Sequence, residues 1–189
     1  MNFDAAPPIY IIGAQCTGKT TLLKAISGCV RKAHPEPAFA VINELARGVL
    51  VSANVNRDDI SSGSEKGMEF QKLVLQAQLE QELECQPPRF IISDRSGIDP
   101  ITYARKYGPP RWGQEMIESS AWARLRERMQ HGVVVLCEPV STWLSDDGVR
   151  LMPKRYHSFQ LACTSIEAPV LSEQSFFLAA CSDLPETAA

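Results

Sequence analysis

The chain has 189 residues, 44% of them hydrophobic and 22% charged, with a formal net charge of −3. That composition suits an ordinary folded domain, long enough for one well-buried core with or without a short appendage. The mild acidic balance leaves no electrostatic footprint for nucleic acid or an anionic membrane surface, and no apolar run approaches the roughly 18 residues that span a bilayer.

Residues 1–8 read as a tail that lacks a basic region followed by an apolar stretch, so no signal peptide is expected and a cytoplasmic location is. Ile9-Tyr10-Ile11-Ile12 is the first strand, and a helix is expected over 18–31, stopped by His34-Pro35-Glu36-Pro37. A short strand follows over 38–42. Ser64 then caps a long helix to about Cys85, in which Phe70, Leu73, Val74 and Ala77 recur at helical spacing. Residues 89–93 form a buried strand running into Asp94-Arg95-Ser96. Helices are expected over 98–107 and 114–130, on either side of Gly108-Pro109-Pro110. Val133-Val134-Val135-Leu136-Cys137 is a continuous β-branched run suited to a strand covered on both faces.

Strands alternating with helices predict an α/β fold, three layers around a mostly parallel, doubly wound sheet. After Pro153 neither period is sustained, and residues 175–180 fit a last strand or an amphipathic turn equally well. The expected organisation is a tail over 1–8, a nucleotide-binding domain over 9–153 and an atypical tail over 154–189. The six cysteines, at 16, 29, 85, 137, 163 and 181, form no C-x-x-C pair and no metal-like spacing. Cys29, Cys85 and Cys137 read as small core residues.

The most specific chemistry lies between the first strand and the first helix. Gly13-Ala14-Gln15-Cys16-Thr17-Gly18-Lys19-Thr20 fits G-x-x-x-x-G-K-[ST] at every fixed position, and Thr21 continues it into the helix. The glycines let backbone N–H groups turn inward around a triphosphate, and the helix points its positive end at the same charge. Lys19 is expected to reach the β- and γ-phosphates of ATP, and the Thr20 hydroxyl to ligate Mg²⁺. Cys16, near a helix N-terminus and Lys19, is either a small residue tolerated at a variable position or a thiol favoured as thiolate.

Phosphoryl transfer also needs a held metal, positive charge on the moving group and an oriented acceptor. Asp94, at the end of an apolar strand, can meet Mg²⁺ through water, cap the following helix, or do both. Arg95 beside it is placed to face phosphate or acceptor. Glu44 ends the second strand, where strand carboxyl ends surround a ligand. It is a candidate base for an acceptor hydroxyl, or a structural partner of Arg47 at helical spacing. Arg150, after Gly148 in Asp146-Asp147-Gly148-Val149-Arg150, can close over the γ-phosphate or belong to a solvated turn.

Three stretches together resemble one family. They are Ile11 to Thr20, Ile92-Ser93-Asp94-Arg95-Ser96-Gly97-Ile98-Asp99-Pro100, and Trp143-Leu144-Ser145-Asp146-Asp147-Gly148-Val149-Arg150-Leu151-Met152-Pro153. They resemble the NadR-like P-loop domains, which join the ribosylnicotinamide kinase domain of bacterial NadR to eukaryotic relatives often labelled AAA-type. Arg57-Asp58-Asp59-Ile60 is similar to the segment preceding the family's long helix. The resemblance covers about residues 9–153 and stops at Pro153, beyond which the family's helix and base-side strand have no counterpart. It implies a kinase-like core with three phosphate-facing elements: the loop at 13–20, Asp94-Arg95, and a lid carrying Arg150. A kinase for a small hydroxyl acceptor such as a nucleoside is one expectation. A nucleotide-dependent switch, using ATP or GTP and linked to phosphoinositides in one branch of the family, is the other. The absence of an N-K-x-D-like base motif favours ATP. Oligomeric state is not legible.

Overall fold

The computed structural model describes residues 6–33, 39–85, 90–138 and 176–179. β1 (Ile9–Ile12) leads through the glycine loop into α1 (Lys19–Ala33) and then β2 (Phe39–Ile42). Two short helices, α2 (Ala46–Ser52) and α3 (Arg57–Ser61), come before the long α4 (Glu65–Glu84) and β3 (Phe90–Asp94). Helices α5 (Ile98–Tyr107), α6 (Pro110–Ile117) and α7 (Ser120–Gln130) lead to β4 (Val133–Cys137), and β5 (Phe176–Ala179) is the last described element.

The strands form one sheet in the order β2-β3-β1-β4-β5, with every neighbouring pair parallel. β1 is central, and Ile11 sits opposite both Asp94 of β3 and Val135 of β4. From β1 the chain winds to the β2 side. After β3 it crosses back over β1 to reach β4. The loops after β1 and β3 therefore leave from adjacent strand ends, the position where doubly wound sheets collect ligands. Residues 176–179 resolve the ambiguity of that segment: they pair with β4, Phe176 opposite Val134.

Alternation along each strand sorts side chains onto two buried faces. Tyr10, Ile12, Ile91, Val134 and Leu136 pack with Leu75, Leu79, Ile101, Trp122 and Leu125 from the helices after β2. Ile11, Ile92 and Cys137 pack on the other face against Leu23, with Leu22, Ile26 and Val30 of α1 around them. Covered faces on both sides explain why these strands read as unbroken apolar runs. Each fully buried aliphatic side chain contributes about 1.5–3 kcal/mol relative to exposure.

Inside the α4 face sits a polar network. The fully buried Glu82 accepts hydrogen bonds from Tyr10 Oη, Gln78 Nε2 and Arg128 Nε, each at 2.9 Å. Gln78 also donates to Ser93 Oγ at 3.1 Å. Burial, and then Glu82, push the Tyr10 phenol far above its ordinary range, so it remains a donor. The network ties α4 and α7 to β1 and β3, and a buried carboxylate persists here because each of these donors is directed at it.

Four expectations needed correction. The helix expected over 114–130 is two helices, because Pro110 starts α6 and Ser119 caps α7, accepting from Trp122 N at 3.2 Å. α2 and α3 were not anticipated, being too short to show a period. α3 nevertheless carries a capping box, with Asn56 and Asp59 bonded reciprocally. Leu73, expected on the core face of α4, is 39% exposed, and the inward face carries Gln71, Gln78 and Glu82 among Phe70, Val74, Leu75 and Leu79. Cys29 is exposed on α1, whereas Cys137 is buried as expected. Ser64 does cap α4, accepting from Gly67 N at 3.2 Å.

Candidate active site

The loop after β1 wraps tightly because two glycines adopt left-handed backbone. Gly13 has φ +135°, and a Cβ there would meet the Cys137 carbonyl oxygen at 2.5 Å. Gly18 has φ +83° and opens α1. Cys16 also has positive φ, +59°, a mild strain for a small residue. The Ala14 carbonyl accepts from Thr17 Oγ1 at 2.8 Å and from Lys19 Nζ, which holds the lysine folded into the loop. Burial, then the nearby Arg95 charge, lower the Lys19 pKa to about 8, while Asp99, Asp94 and Glu44 oppose that shift.

Thr20 Oγ1 donates to Asp94 Oδ2 at 2.6 Å, so the residues proposed as Mg²⁺ ligands are in direct contact. The other oxygen, Asp94 Oδ1, is buried without a hydrogen-bond partner among the described residues, and the residue is only 2% exposed. An orphaned carboxylate oxygen costs about 1–3 kcal/mol or more, an arrangement that a hard, oxygen-seeking cation would relieve. The donor set fits Mg²⁺.

Arg95 is 7% exposed and has φ +87°, an uncommon backbone conformation for a long side chain. Its backbone N–H donates to Ile11 O at 2.9 Å. Nε donates to Glu44 Oε1 at 3.0 Å, a second guanidinium nitrogen lies 3.0 Å from the same oxygen, and Nη1 donates to Asp99 Oδ1 at 2.9 Å. Burial opposes its charge, but Glu44 and Asp99 more than offset that and hold it protonated. Asp99 is positioned in turn by Ser96, whose backbone N–H donates to Oδ2 at 2.9 Å. The Glu44–Arg47 contact read from spacing exists but is looser, at 3.6 Å. Glu44 thus has a second, closer partner 51 residues away that spacing could not show.

Two clefts meet at this pair. One is lined by Cys16 through Thr21 together with Asp94. The other has an apolar wall of Leu50, Ile60, Phe70, Val74 and Pro100, with Gln15, Gln71, Asp99 and Tyr103 as polar members and Arg47 and Arg57 also bordering it. Glu44 and Arg95 line both. Of the residues expected at the site, the loop, Lys19, Thr20, Thr21, Glu44, Asp94 and Arg95 are brought together. Arg150, Asp146 and Asp147 lie outside the described residues.

Asp99, Phe70, Gln71 and Tyr103 were missed as site residues. For Gln71 a signal existed: it sits seven residues before Gln78 on the inward face of α4, and polar residues at core spacing require partners.

A glycine loop joining a central parallel strand to a helix whose first turn sets a threonine against an aspartate at the neighbouring strand end defines a P-loop NTPase. A family model described as an AAA domain matches residues 8–167, most of the chain, and the chain belongs to that P-loop family. No curated protein matches the sequence. Among solved structures the fold is NadR-like. The chain is similar to NadR in complex with NR, at 17% identity and a TM-score of 0.70, covering 98% of this chain and 48% of that one. It is also similar to NadR in complex with NAD and AMP-PNP, at 15% identity and a TM-score of 0.65, covering 92% of this chain and 44% of that one. A deoxyadenosine kinase from M. mycoides with bound dCTP follows, at 11% identity and a TM-score of 0.58, covering 95% and 92%. The chain spans about half the length of the NadR structures.

Proposed function

We propose that the chain transfers the γ-phosphoryl group of ATP to a hydroxyl of a small acceptor such as a nucleoside. The observation that carries this reading is the shared wall: a phosphate-loop cleft and an apolar cleft meet at Glu44 and Arg95. The fold is also that of proteins whose structures hold NR, AMP-PNP or dCTP.

In the proposed reaction the loop amides from Gly13 to Thr21 hold the donor phosphates, and Lys19 neutralises charge on the β- and γ-phosphates. Thr20 and Asp94 would hold Mg²⁺, which when bound draws charge from the bridging oxygens. The acceptor lies in the apolar cleft, where Phe70 and Tyr103 offer aromatic surface to a planar ring. Gln71, 4% exposed, offers an amide to the ring's polar edge. Glu44 takes the proton from the acceptor hydroxyl as its oxygen bonds to the γ-phosphorus. The bond from that phosphorus to the β-bridging oxygen breaks, and ADP leaves. Arg95 holds Glu44 in place through its two contacts with Oε1, and Arg150 supplies the further positive charge proposed for the transferring group.

The test is incubation of the purified chain with Mg-ATP and a panel of ribonucleosides, deoxyribonucleosides and nicotinamide riboside, reading ADP and phosphorylated product. Product that disappears in Lys19→Ala supports the reading. ATP binding with no product across the panel would instead favour a nucleotide-dependent switch.

A further inference from the structure

We infer that Gln71 selects the acceptor by its ring edge, pairing its side-chain amide with rings that carry a hydrogen-bond donor beside an acceptor, in either order. The inference rests on the phosphotransferase reading above and names the acceptor class within it. Gln71 is 4% exposed and lines the apolar cleft beside Phe70 and Val74 of the same helix face. Its side chain makes no hydrogen bond to any of the described residues. Nor is its amide sealed in, as Asp94 Oδ1 is: it faces the cleft that it lines.

Gln78, on the same inward face of α4, shows how a structural glutamine is satisfied in this helix. It is 3% exposed, and its NH₂ donates to Glu82 Oε1 at 2.9 Å and to Ser93 Oγ at 3.1 Å. Those two contacts pin its amide in one orientation. Gln71 is as deeply buried and has no such pair, although its neighbours Phe70, Val74 and Leu75 show that an apolar side chain suits this face. A buried amide without a partner is a net cost, which the polar edge of a ligand would remove. Because protein holds neither end of the amide, its oxygen and NH₂ can exchange places by rotation about the last side-chain bond. Adenosine presents an acceptor ring nitrogen beside an amino donor, and inosine a ring N–H donor beside a carbonyl acceptor. One glutamine free to turn over pairs with both. Benzimidazole riboside has the same outline with a hydrocarbon edge, and it would leave the amide unpaired.

The experiment is steady-state phosphoryl transfer from Mg-ATP to adenosine, inosine and benzimidazole riboside, for wild type, Gln71→Leu and Gln71→Met. In wild type, kcat/KM for adenosine and inosine is expected to agree within about tenfold, with each at least about tenfold above benzimidazole riboside. Gln71→Leu fills the position with an apolar group and should melt no lower than wild type. Its preference for the polar rings should collapse to within about threefold, while the KM for ATP stays within about twofold. Gln71→Met keeps the length of glutamine without its amide and should behave in the same way. A merely structural glutamine would change stability and leave the ranking of the three ribosides alone. A ranking that survives both substitutions, a wild type that shows no preference for a polar edge, or one that separates adenosine from inosine by more than about tenfold overturns the inference and leaves the phosphotransferase intact. A wild type that binds Mg-ATP but turns over none of the ribosides removes both, and the wild-type measurement alone distinguishes that outcome.

Discussion

Lys19 offers the sharpest quantitative test, because its pKa in the nucleotide-free protein is lowered to about 8. Burial is the main cause and Arg95 the second. A bound triphosphate would supply the negative charge the lysine lacks and return the pKa towards or above its ordinary value. Nucleotide binding should therefore take up a proton. The affinity is fully present below pH 8 and declines as pH rises from about 8 towards the pKa of the complex. The protonated fraction falls from about 0.9 at pH 7 to about 0.09 at pH 9, so the apparent Kd should rise about tenfold, about 1.4 kcal/mol. Titration calorimetry at saturating Mg²⁺, repeated at pH 9 in two buffers of different ionisation enthalpy, would read both the Kd and the proton count. The expected uptake is close to one proton per nucleotide at pH 9 and about a tenth of one at pH 7. Lys19→Ala should bind at least about tenfold more weakly at pH 7 and lose this pH dependence. A wild-type Kd flat from pH 7 to 9, with no proton taken up, would refute the claim that burial in the loop lowers the lysine's pKa to about 8.

Other residues give further tests. Asp94→Asn should weaken Mg-ATP more than metal-free ATP, measured as the loss of Mg²⁺ dependence in nucleotide titrations. Glu44→Gln preserves shape but removes the base, and single-turnover transfer should fall by roughly 10²–10⁴ with ATP affinity nearly unchanged. Arg150→Lys should retain part of the single-turnover rate at saturating ATP and Arg150→Ala much less, since the planar fork is lost in the first and the charge in the second. Arg128→Met breaks a buried ion pair and leaves Glu82 without its cation, so chemical denaturation should show a loss of about 3–5 kcal/mol.

The elements that could be read from sequence are those with a strong local cause. The glycine loop announces itself through fixed positions. The strands at 9–12 and 133–137 announce themselves through apolar runs that both faces of the sheet require. Ser64 and the prolines marked helix boundaries by removing or satisfying backbone donors. What could not be read depends on contacts between distant segments. Glu44 and Arg95 are 51 residues apart and meet only because β2 lies beside β3. Glu82 is an unremarkable glutamate in an acidic, glutamine-rich helix until Tyr10 and Arg128 are folded over it. The apolar cleft was invisible for the same reason. Its walls come from α2 to α5 and the glycine loop, and Phe70 and Gln71 acquire meaning only when Tyr103 stands opposite in the same cavity.

The backbone at Arg95 shows why the two clefts are joined where they are. β3 must end with Asp94 turned towards Thr20, and its side chain does so at 2.6 Å. The next residue then places a guanidinium between the two clefts, and it does so with φ +87°, a conformation costing about 1–3 kcal/mol for a non-glycine residue. A glycine would remove that cost but also the guanidinium. The strain persists because Arg95 is determined from three sides: its N–H on Ile11 O, and its side chain on Glu44 and on Asp99. Those carboxylates come from the end of β2 and from the first turn of α5, so one residue ties three segments to the central strand. Removing either carboxylate would leave the buried guanidinium without one of its two charge partners. Glu44 and Arg95 are therefore fixed at the junction of the two clefts, where the proposed acceptor and γ-phosphate would meet.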